Sequence, residues 1–405
     1  MTPELATRAH GLRILENFAP RMGRAYAIGR NYDCGPGNHR DVSQLSPYIR
    51  RRLVSEHELV ATALETHGYE GAEKFIQEVV WRGYFKGWLE RRPRIWSDYR
   101  DGLIADLADA DTDPALRSRL DAALTGSTGL AYFDAWVEEL ITTGYLHNHA
   151  RMWFASIWIF TLGLPWRIGA DFFFRHLHDG DPASNTCSWR WVAGLHTRGK
   201  VYEAQAWNIA KFTQGRFSPR DADLAVKPEG LQGQEPDDLP ETTPLRQVNP
   251  PRPGVATVVL LIEDDCQIEA FDLDALDICG AATLATSHLR SPLQCSPDVS
   301  AFEATALKDA AVRAGLTAVQ CRAGPVQSLV EWVEKTGARQ IAMPYAPVGP
   351  VADWTDALRP LLRHRGIALT EWRRDWDALI WPHATAGFFK VKKRIPKILE
   401  DIGLA

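Results

Sequence analysis

The feature that most constrains this 405-residue chain is a change of character near its middle. Residues 221–254 are polar, proline-rich and poor in aromatics, as in Val226-Lys-Pro-Glu-Gly-Leu-Gln-Gly-Gln-Glu-Pro-Asp-Asp-Leu-Pro-Glu-Thr-Thr-Pro and Asn249-Pro-Pro-Arg-Pro-Gly254. Such a stretch builds no core and reads as an extended linker. Before it, Gly and Pro punctuate segments whose apolar residues recur at helical spacing, such as Leu59–Ala63–Leu64 and Phe133–Trp136–Val137–Leu140–Ile141. After it, Ala256–Ile262 is a continuous apolar, β-branched run. Ala281–Thr286, Thr317–Gln320, Gln340–Met343 and Ile367–Thr370 follow, alternating with helical stretches 300–314, 325–337 and 351–363. This pattern predicts an α + α/β chain: an all-helical domain over 1–220, the linker 221–254, and a doubly wound parallel, Rossmann-like sheet over 255–405. No G-x-G-x-x-G follows the first strand, so the dinucleotide fingerprint is absent.

Charge and cysteine usage narrow the function. The net charge is −5, unlike that of a protein held to nucleic acid by bulk charge. Residues 1–220 carry 27 Lys+Arg against 25 Asp+Glu, whereas 221–405 carry 19 against 26. Any nucleic-acid contact is therefore expected on a local patch of the first half. The six cysteines, at 34, 187, 266, 279, 295 and 321, form no C-x-x-C pair, so no metal site is expected from them. Dispersed thiols suit a reducing cytoplasm. The N-terminus has acidic Glu4 and no apolar core, unlike a signal peptide. The apolar run Met152–Leu164 is too short to span a bilayer. Apolar residues make up 45% of the chain, enough for a large core, and most of the fifteen tryptophans are expected to pack in it.

Four segments stand out in order: Ser43-Gln-Leu-Ser46-Pro47-Tyr48, Glu78-Val-Val-Trp81-Arg82, His147-Asn148-His149-Ala150-Arg151-Met152, and Asp179-Gly-Asp-Pro-Ala-Ser-Asn185-Thr-Cys-Ser-Trp189-Arg-Trp191. Ser43 and Ser46 bracket a helix start with Pro47 at its first position, which is an anion-binding arrangement. Asn148, Arg151 and Met152 fall on one helix face. In this order and spacing the segments resemble the flavin-binding domain of the photolyase/cryptochrome family over about residues 20–217. The part from 255 to 399 resembles that family's α/β domain by pattern. That domain order is reversed here, so the chain looks like a circular permutation.

The resemblance implies a bound FAD, with Tyr26, Ser43, Gln44, Leu45, Ser46, Phe75, Asn148, Arg151, Asp179, Asp181 and Asn185 around it. Val42 stands where the family has a threonine, and the spacing from Tyr26 to Val42 is longer than usual. Asn185 matches the amide facing a flavin ring nitrogen. Trp189 and Trp166 match the first two members of an electron-hopping chain; the third falls near Asp113, which is no tryptophan. Glu78, Trp81, Met152 and Trp191 match residues that contact a cyclobutane pyrimidine dimer, with Arg30 and His149 at DNA-facing positions. His149 replaces an arginine and Gly83 an acid. Arg50-Arg51-Arg52, Arg82 and Lys86 are candidates for phosphate contacts.

The resemblance thus implies a light-driven DNA photolyase acting on pyrimidine dimers, favouring single-stranded or distorted DNA. Its alternative is a cryptochrome-like photoreceptor signalling through a protein partner. A second, antenna chromophore (a folate, a deazaflavin or a flavin) is open. Neither a membrane nor a metal is expected.

Overall fold

The computed structural model describes residues 2–235 and 239–404. Pro236, Asp237 and Asp238, inside the expected linker, lie outside the described residues. The first half is helical: α1 (Arg8–Phe18), α2 (Arg24–Gly29), α3 (Ser46–Arg50), α4 (Glu56–Glu90), α5 (Arg94–Thr112), α6 (Pro114–Leu124), α7 (Ala131–Thr143), α8 (Asn148–Ser156), α9 (Trp166–His176), α10 (Pro182–Val192) and α11 (Ala206–Phe212). Local chemistry sets the boundaries. A capping box starts α4: Glu58 N donates to Ser55 Oγ at 3.3 Å, and Ser55 N donates back to Glu58 Oε2 at 2.9 Å. Gly68, with φ of 65°, breaks α4 into two pieces, a conformation that costs glycine little. One π-helical turn, Ile157–Thr161, extends α8. Trp136, Trp153, Trp158 and Trp189 are buried in this half, and each such side chain stabilises the fold by roughly 2–3 kcal/mol.

The second half holds β1 (Ala256–Ile262), β2 (Asp277–Ala285), α12 (Pro297–Arg313), β3 (Ala318–Arg322), α13 (Val326–Lys335), β4 (Gln340–Pro344), α14 (Pro350–His364) and β5 (Ala368–Trp372). The five strands form one parallel sheet in the order β3-β2-β1-β4-β5. All five expected strands are present; β2 begins four residues earlier than its apolar run suggested. The sheet is covered on both faces. Val258, Leu260 and Ile262 pack with α13 and α14, while Val259 and Leu261 join the core shared with α12 and the helical half. The closing segment, α15 (Asp375–Ile380), α16 (Phe389–Lys392) and α17 (Ile395–Asp401), leaves the sheet. There α15 and α16 pack on α4.

A charge cluster joins the halves at the carboxyl end of β1. Six cationic side chains (Arg50, Arg51, Arg52, Lys86, Arg290, Arg374) face six carboxylates (Glu56, Asp181, Glu263, Asp264, Asp265, Asp377). Arg52 reaches Asp377 at 2.7 Å and Glu56 at 3.0 Å, and Arg50 reaches Asp264 at 3.0 Å. This corrects the expectation of phosphate contacts from Arg50, Arg51, Arg52 and Lys86. All four are buried and already paired, Arg50, Arg51 and Arg52 with the acidic run Glu263-Asp264-Asp265 and Lys86 with Asp181. Strand order reverses between β1 and β4, the place where open parallel sheets usually take ligands. Here the cavity lined by Arg50, Glu263, Asp264, Thr286 and Arg290 measures only about 10 Å³. That is room for one water.

Candidate functional site

Helix α3 has a single turn, with Leu45 at its N-cap and no side-chain cap, so its dipole is slight. The expected anion site at this helix start thus rests on a turn, and Ser46, not Pro47, holds the first helical position. Gln44 sits in the left-handed region at φ 54°, and Leu45 N donates to Ser43 Oγ at 3.3 Å. Such a non-glycine conformation persists only where its surroundings fix it. Ser43, Gln44 and Ser46 are half-buried on this turn, and Leu45 anchors it in the core.

The turn meets the α9–α10 loop. Asp179 is buried and accepts from Arg151 Nη2 at 3.0 Å. Arg151 also donates through Nε to the Leu146 carbonyl at 2.8 Å. Burial pushes the Asp179 carboxyl up, but Arg151, Arg82 and the Ser46 hydroxyl outweigh it and hold the group below the usual carboxylate range. Asp179 Oδ1 and Arg82 Nη1 are buried and lack a hydrogen bond of good geometry. Arg82, a candidate for DNA phosphate in the sequence, thus stands beside this carboxylate. Asn185 Nδ2 donates to the Ala170 carbonyl at 2.8 Å, which leaves its Oδ1 as the group free to accept. Asp181 differs: it caps α10 by accepting from Ser184 N at 2.8 Å, and it lies 3.7 Å from Lys86 and 3.8 Å from Arg50. Burial raises its carboxyl, yet these cations and Arg82 bring it far below the usual range. Asp181 is thus held in place by the start of α10 and by the cations beside it.

Tyr26 packs edge-on against Phe75, with ring centroids 5.2 Å apart. Arg30 donates to Asn31 Oδ1 at 2.7 Å and lies 3.9 Å from Glu78. Glu78 keeps 39% of its side chain exposed. Partial burial in its recess still raises its carboxyl, against the pull of Arg30. Glu78 and Trp81 share a face of α4 one turn apart, and Asn148 and Met152 do the same on α8. Trp191 is 36% exposed and tilts against Tyr202 at 5.5 Å.

Trp81 is less open than its spacing suggested. Phe388, from the closing segment, stacks on it at 3.8 Å with an interplanar angle of 13°, leaving one indole face for a ligand. No local pattern joins residues more than 300 apart. His149 is also spent internally. Its Nδ1 bonds the Asn31 carbonyl at 2.9 Å, its Nε2 lies 3.3 Å from the Tyr202 hydroxyl, and its ring stacks on Trp153 at 4.1 Å. Burial lowers its pKa, and both ring nitrogens are engaged within the protein.

Trp189 is buried against Phe173 at 5.2 Å and Trp158 at 6.4 Å. Trp166, also buried, lies 5.9 Å from Tyr99 and under the Arg167 guanidinium at 5.1 Å. Asp113, at the position of the absent third tryptophan, is the N-cap of α6 and accepts from Ala115 N and Leu116 N.

Among the described residues no helix is long and apolar enough to cross a membrane. Residues 75–217 match the family described as the FAD binding domain of DNA photolyase. The chain is 40% identical over 156 residues to the deoxyribodipyrimidine photo-lyase of Streptomyces griseus, covering 38% of this chain and 32% of that protein. It is 36% identical over 193 residues to a deoxyribodipyrimidine photo-lyase of Thermus thermophilus, covering 47% and 43%. It is also 33% identical over 177 residues to the chloroplastic/mitochondrial cryptochrome DASH of Ostreococcus tauri, covering 42% and 31%. The alignments thus span less than half the length of these relatives. A solved class III photolyase from Agrobacterium tumefaciens aligns with 51% of this chain and 43% of its own, at 26% identity and a TM-score of 0.43. Residues 75–217 are thus similar to the FAD-binding domain of DNA photolyases, and the relatives that share this part are photolyases and a cryptochrome.

Proposed function

We propose that this protein is a blue-light-driven, FAD-dependent photolyase that splits cyclobutane pyrimidine dimers and favours single-stranded or distorted DNA. The observation that carries the reading is the Asp179 cluster, where a buried carboxylate paired with Arg151 stands beside Arg82 and the Ser46 hydroxyl, and where Asp179 Oδ1 and Arg82 Nη1 lack hydrogen-bond partners. Unsatisfied buried polar groups are costly, and a site that keeps them is prepared for a ligand. The residues fit a flavin dinucleotide. Asp179 Oδ1 and Asn185 Oδ1 can accept from N–H groups of the ring edge. Ser43, Ser46, Arg82 and the Gln44 turn suit phosphate.

When bound and reduced, the flavin supplies an electron to the dimer on absorbing blue light. The chain does the rest. Trp191 and the open face of Trp81 stack flipped-out bases, and Met152 completes an apolar wall. The raised Glu78 carboxyl hydrogen-bonds a pyrimidine edge. Asn148 keeps an amide near that edge, and Trp189 and Trp166 relay electrons towards the buried ring. Duplex gripping is weak in this reading, since His149, Arg50, Arg51, Arg52 and Lys86 are all committed elsewhere. A weak gripper depends on bases that are already unstacked. The filled switch point supports a protein without an antenna chromophore there. The packing of α15 and α16 on α4 supports a permuted two-domain unit.

The Phe388–Trp81 stack favours one other reading, a cryptochrome-like photoreceptor with a protein partner and no repair. Illumination of the purified, reduced protein with dimer-containing oligonucleotides separates the two. The photolyase reading expects repair, faster on single strands than on duplex. Dimers left intact in both would establish the photoreceptor reading in its place.

A further inference from the structure

The loop between α2 and α3, longer than the family spacing, carries a cluster that the flavin reading leaves unused. Asp33, His39 and Glu139 are buried, and one ligand-type atom from each lies within 4.8 Å of the others. His39 Nε2 is 2.9 Å from Glu139 Oε1, and His39 Nδ1 is 4.0 Å from Asp33 Oδ1. We propose that Asp33, His39 and Glu139 bind a divalent transition-metal ion of the zinc type, fastening this loop to α7.

The three side chains differ in how their charge is met. Asp33 is provided for: Arg216 lies at 2.5 Å, Trp136 Nε1 donates at 3.1 Å, and Gly35 N donates at 3.1 Å. Glu139 has only His39. Its second oxygen, Oε2, is buried without a partner, and so is the second nitrogen of His39. A buried carboxylate whose sole partner is one imidazole keeps an oxygen unsatisfied, which is costly. A divalent cation satisfies that oxygen and uses both donor types, since zinc takes imidazole nitrogen and carboxylate oxygen at about 2.0–2.2 Å.

An independent observation comes from the next shell. His147, fully buried, stacks its ring on His39 with centroids 5.7 Å apart, and its Nε2 has no partner. Its Nδ1 accepts from His149 N at 3.2 Å, which fixes the tautomer so that Nε2 carries the hydrogen. That unused donor beside the cluster offers a hydrogen bond to a water or anion completing the ion's shell. His147 is also the N-cap of α8, the helix bearing Asn148, Arg151 and Met152. The ion would thus brace both the loop leading to Ser43–Ser46 and the start of α8. Cysteine spacing was blind to this set, which has no cysteine and draws on residues about 100 apart in the chain.

The test uses the full-length protein, stripped with a chelator and titrated with Zn²⁺ by calorimetry, with elemental analysis of the product. One Zn²⁺ per chain is expected. The near-isosteric Glu139→Gln should weaken uptake by about tenfold or more, because it removes a charged ligand and keeps the shape. If that variant does not fold, His39→Asn serves in its place with the same expectation. A wild-type protein that takes up no stoichiometric Zn²⁺ would overturn the proposal. So would a folded variant that binds Zn²⁺ as well as wild type.

Discussion

Two buried charged regions lie on either side of Gly180, and they differ in what they leave open. At the interface of the two halves, six cations meet six carboxylates, and Asp265 shows the outcome: it takes Arg374 at 2.7 Å and Arg52 at 3.4 Å. Around Asp179, the Arg151 pair satisfies one oxygen, while Asp179 Oδ1 and Arg82 Nη1 remain unpartnered. The first region balances its charges and acts as scaffold, although Arg51 Nε, Arg51 Nη2 and Arg290 Nε lack hydrogen-bond partners there too. The second is complete only with something added. Neither buried charge nor a single unpaired atom therefore marks function; the Asp179 region stands apart because its unpaired atoms lie beside the Ser46 hydroxyl and the turn that carries it.

The largest expected effect lies in the scaffold. Asp265→Ala strips Arg52 and Arg374 of a shared buried partner and should cost roughly 3–5 kcal/mol in denaturant unfolding. A loss below about 1 kcal/mol would remove the contrast, since the cluster would then be no more than a set of surface-like pairs.

Acid should act next. His147 and His178 are fully buried, and burial lowers both to about 3. A base with a lowered folded pKa binds protons more readily when unfolded. Stability is then full above pH 6.5 and falls as the pH drops towards 3, by up to about 1.4 kcal/mol per pH unit for each histidine. Glu263 adds a later loss. Burial raises it, but Arg290, Arg51 and Arg50 bring it to about 2, so its contribution fades as the pH falls from 4.5 towards 2. Urea midpoints at pH 7.5, 5.5 and 4 should decline at both steps. A flat profile between 7.5 and 5.5 would show these histidines to be hydrated.

Packing around the tryptophans gives a smaller effect. A β-carbon on Gly169 would meet Trp189 Cη2 at 2.5 Å and Trp158 Nε1 at 2.8 Å. Gly169→Ala should therefore displace Trp189, lose roughly 1–3 kcal/mol and slow photoreduction of the flavin. Unchanged photoreduction would detach Trp189 from the electron route.

Glu78→Gln should leave stability within about 0.5 kcal/mol, because the side chain is more than a third exposed and its Arg30 contact is long. Repair yield should drop at unchanged flavin content. A parallel loss of flavin would move Glu78 from the lesion to the cofactor.

Much of the architecture was legible in the sequence because strand and helix periods are local. The run Ala256–Ile262 became β1 with the same ends, and the Pro-rich segment between Phe212 and β1 holds no α-helix or strand among the described residues. The position of Asp179 beside Arg151 was also readable, since motif order fixes it. Long-range pairing was not. Arg50-Arg51-Arg52 looks like a solvated basic face, and only the fold brings in Glu263 from 213 residues away. Phe388 on Trp81, the Asp33–His39–Glu139 cluster and the diversion of Asp181 to Lys86 were hidden for the same reason. The single turn of α3 escaped notice because Arg52, at φ 49°, ends it just after a favourable start.

The most direct test of the contrast is the FAD content of three purified proteins after reconstitution, read from the flavin absorbance per chain. Wild type should hold one non-covalent FAD. Asp265→Ala, where it folds, should hold the same amount at lower stability. Asp179→Ala should lose most of its flavin, because Arg151 then has no buried counter-charge and the ring edge no acceptor. A wild-type protein that takes up no FAD, or an Asp179→Ala variant that retains it fully, would contradict the account.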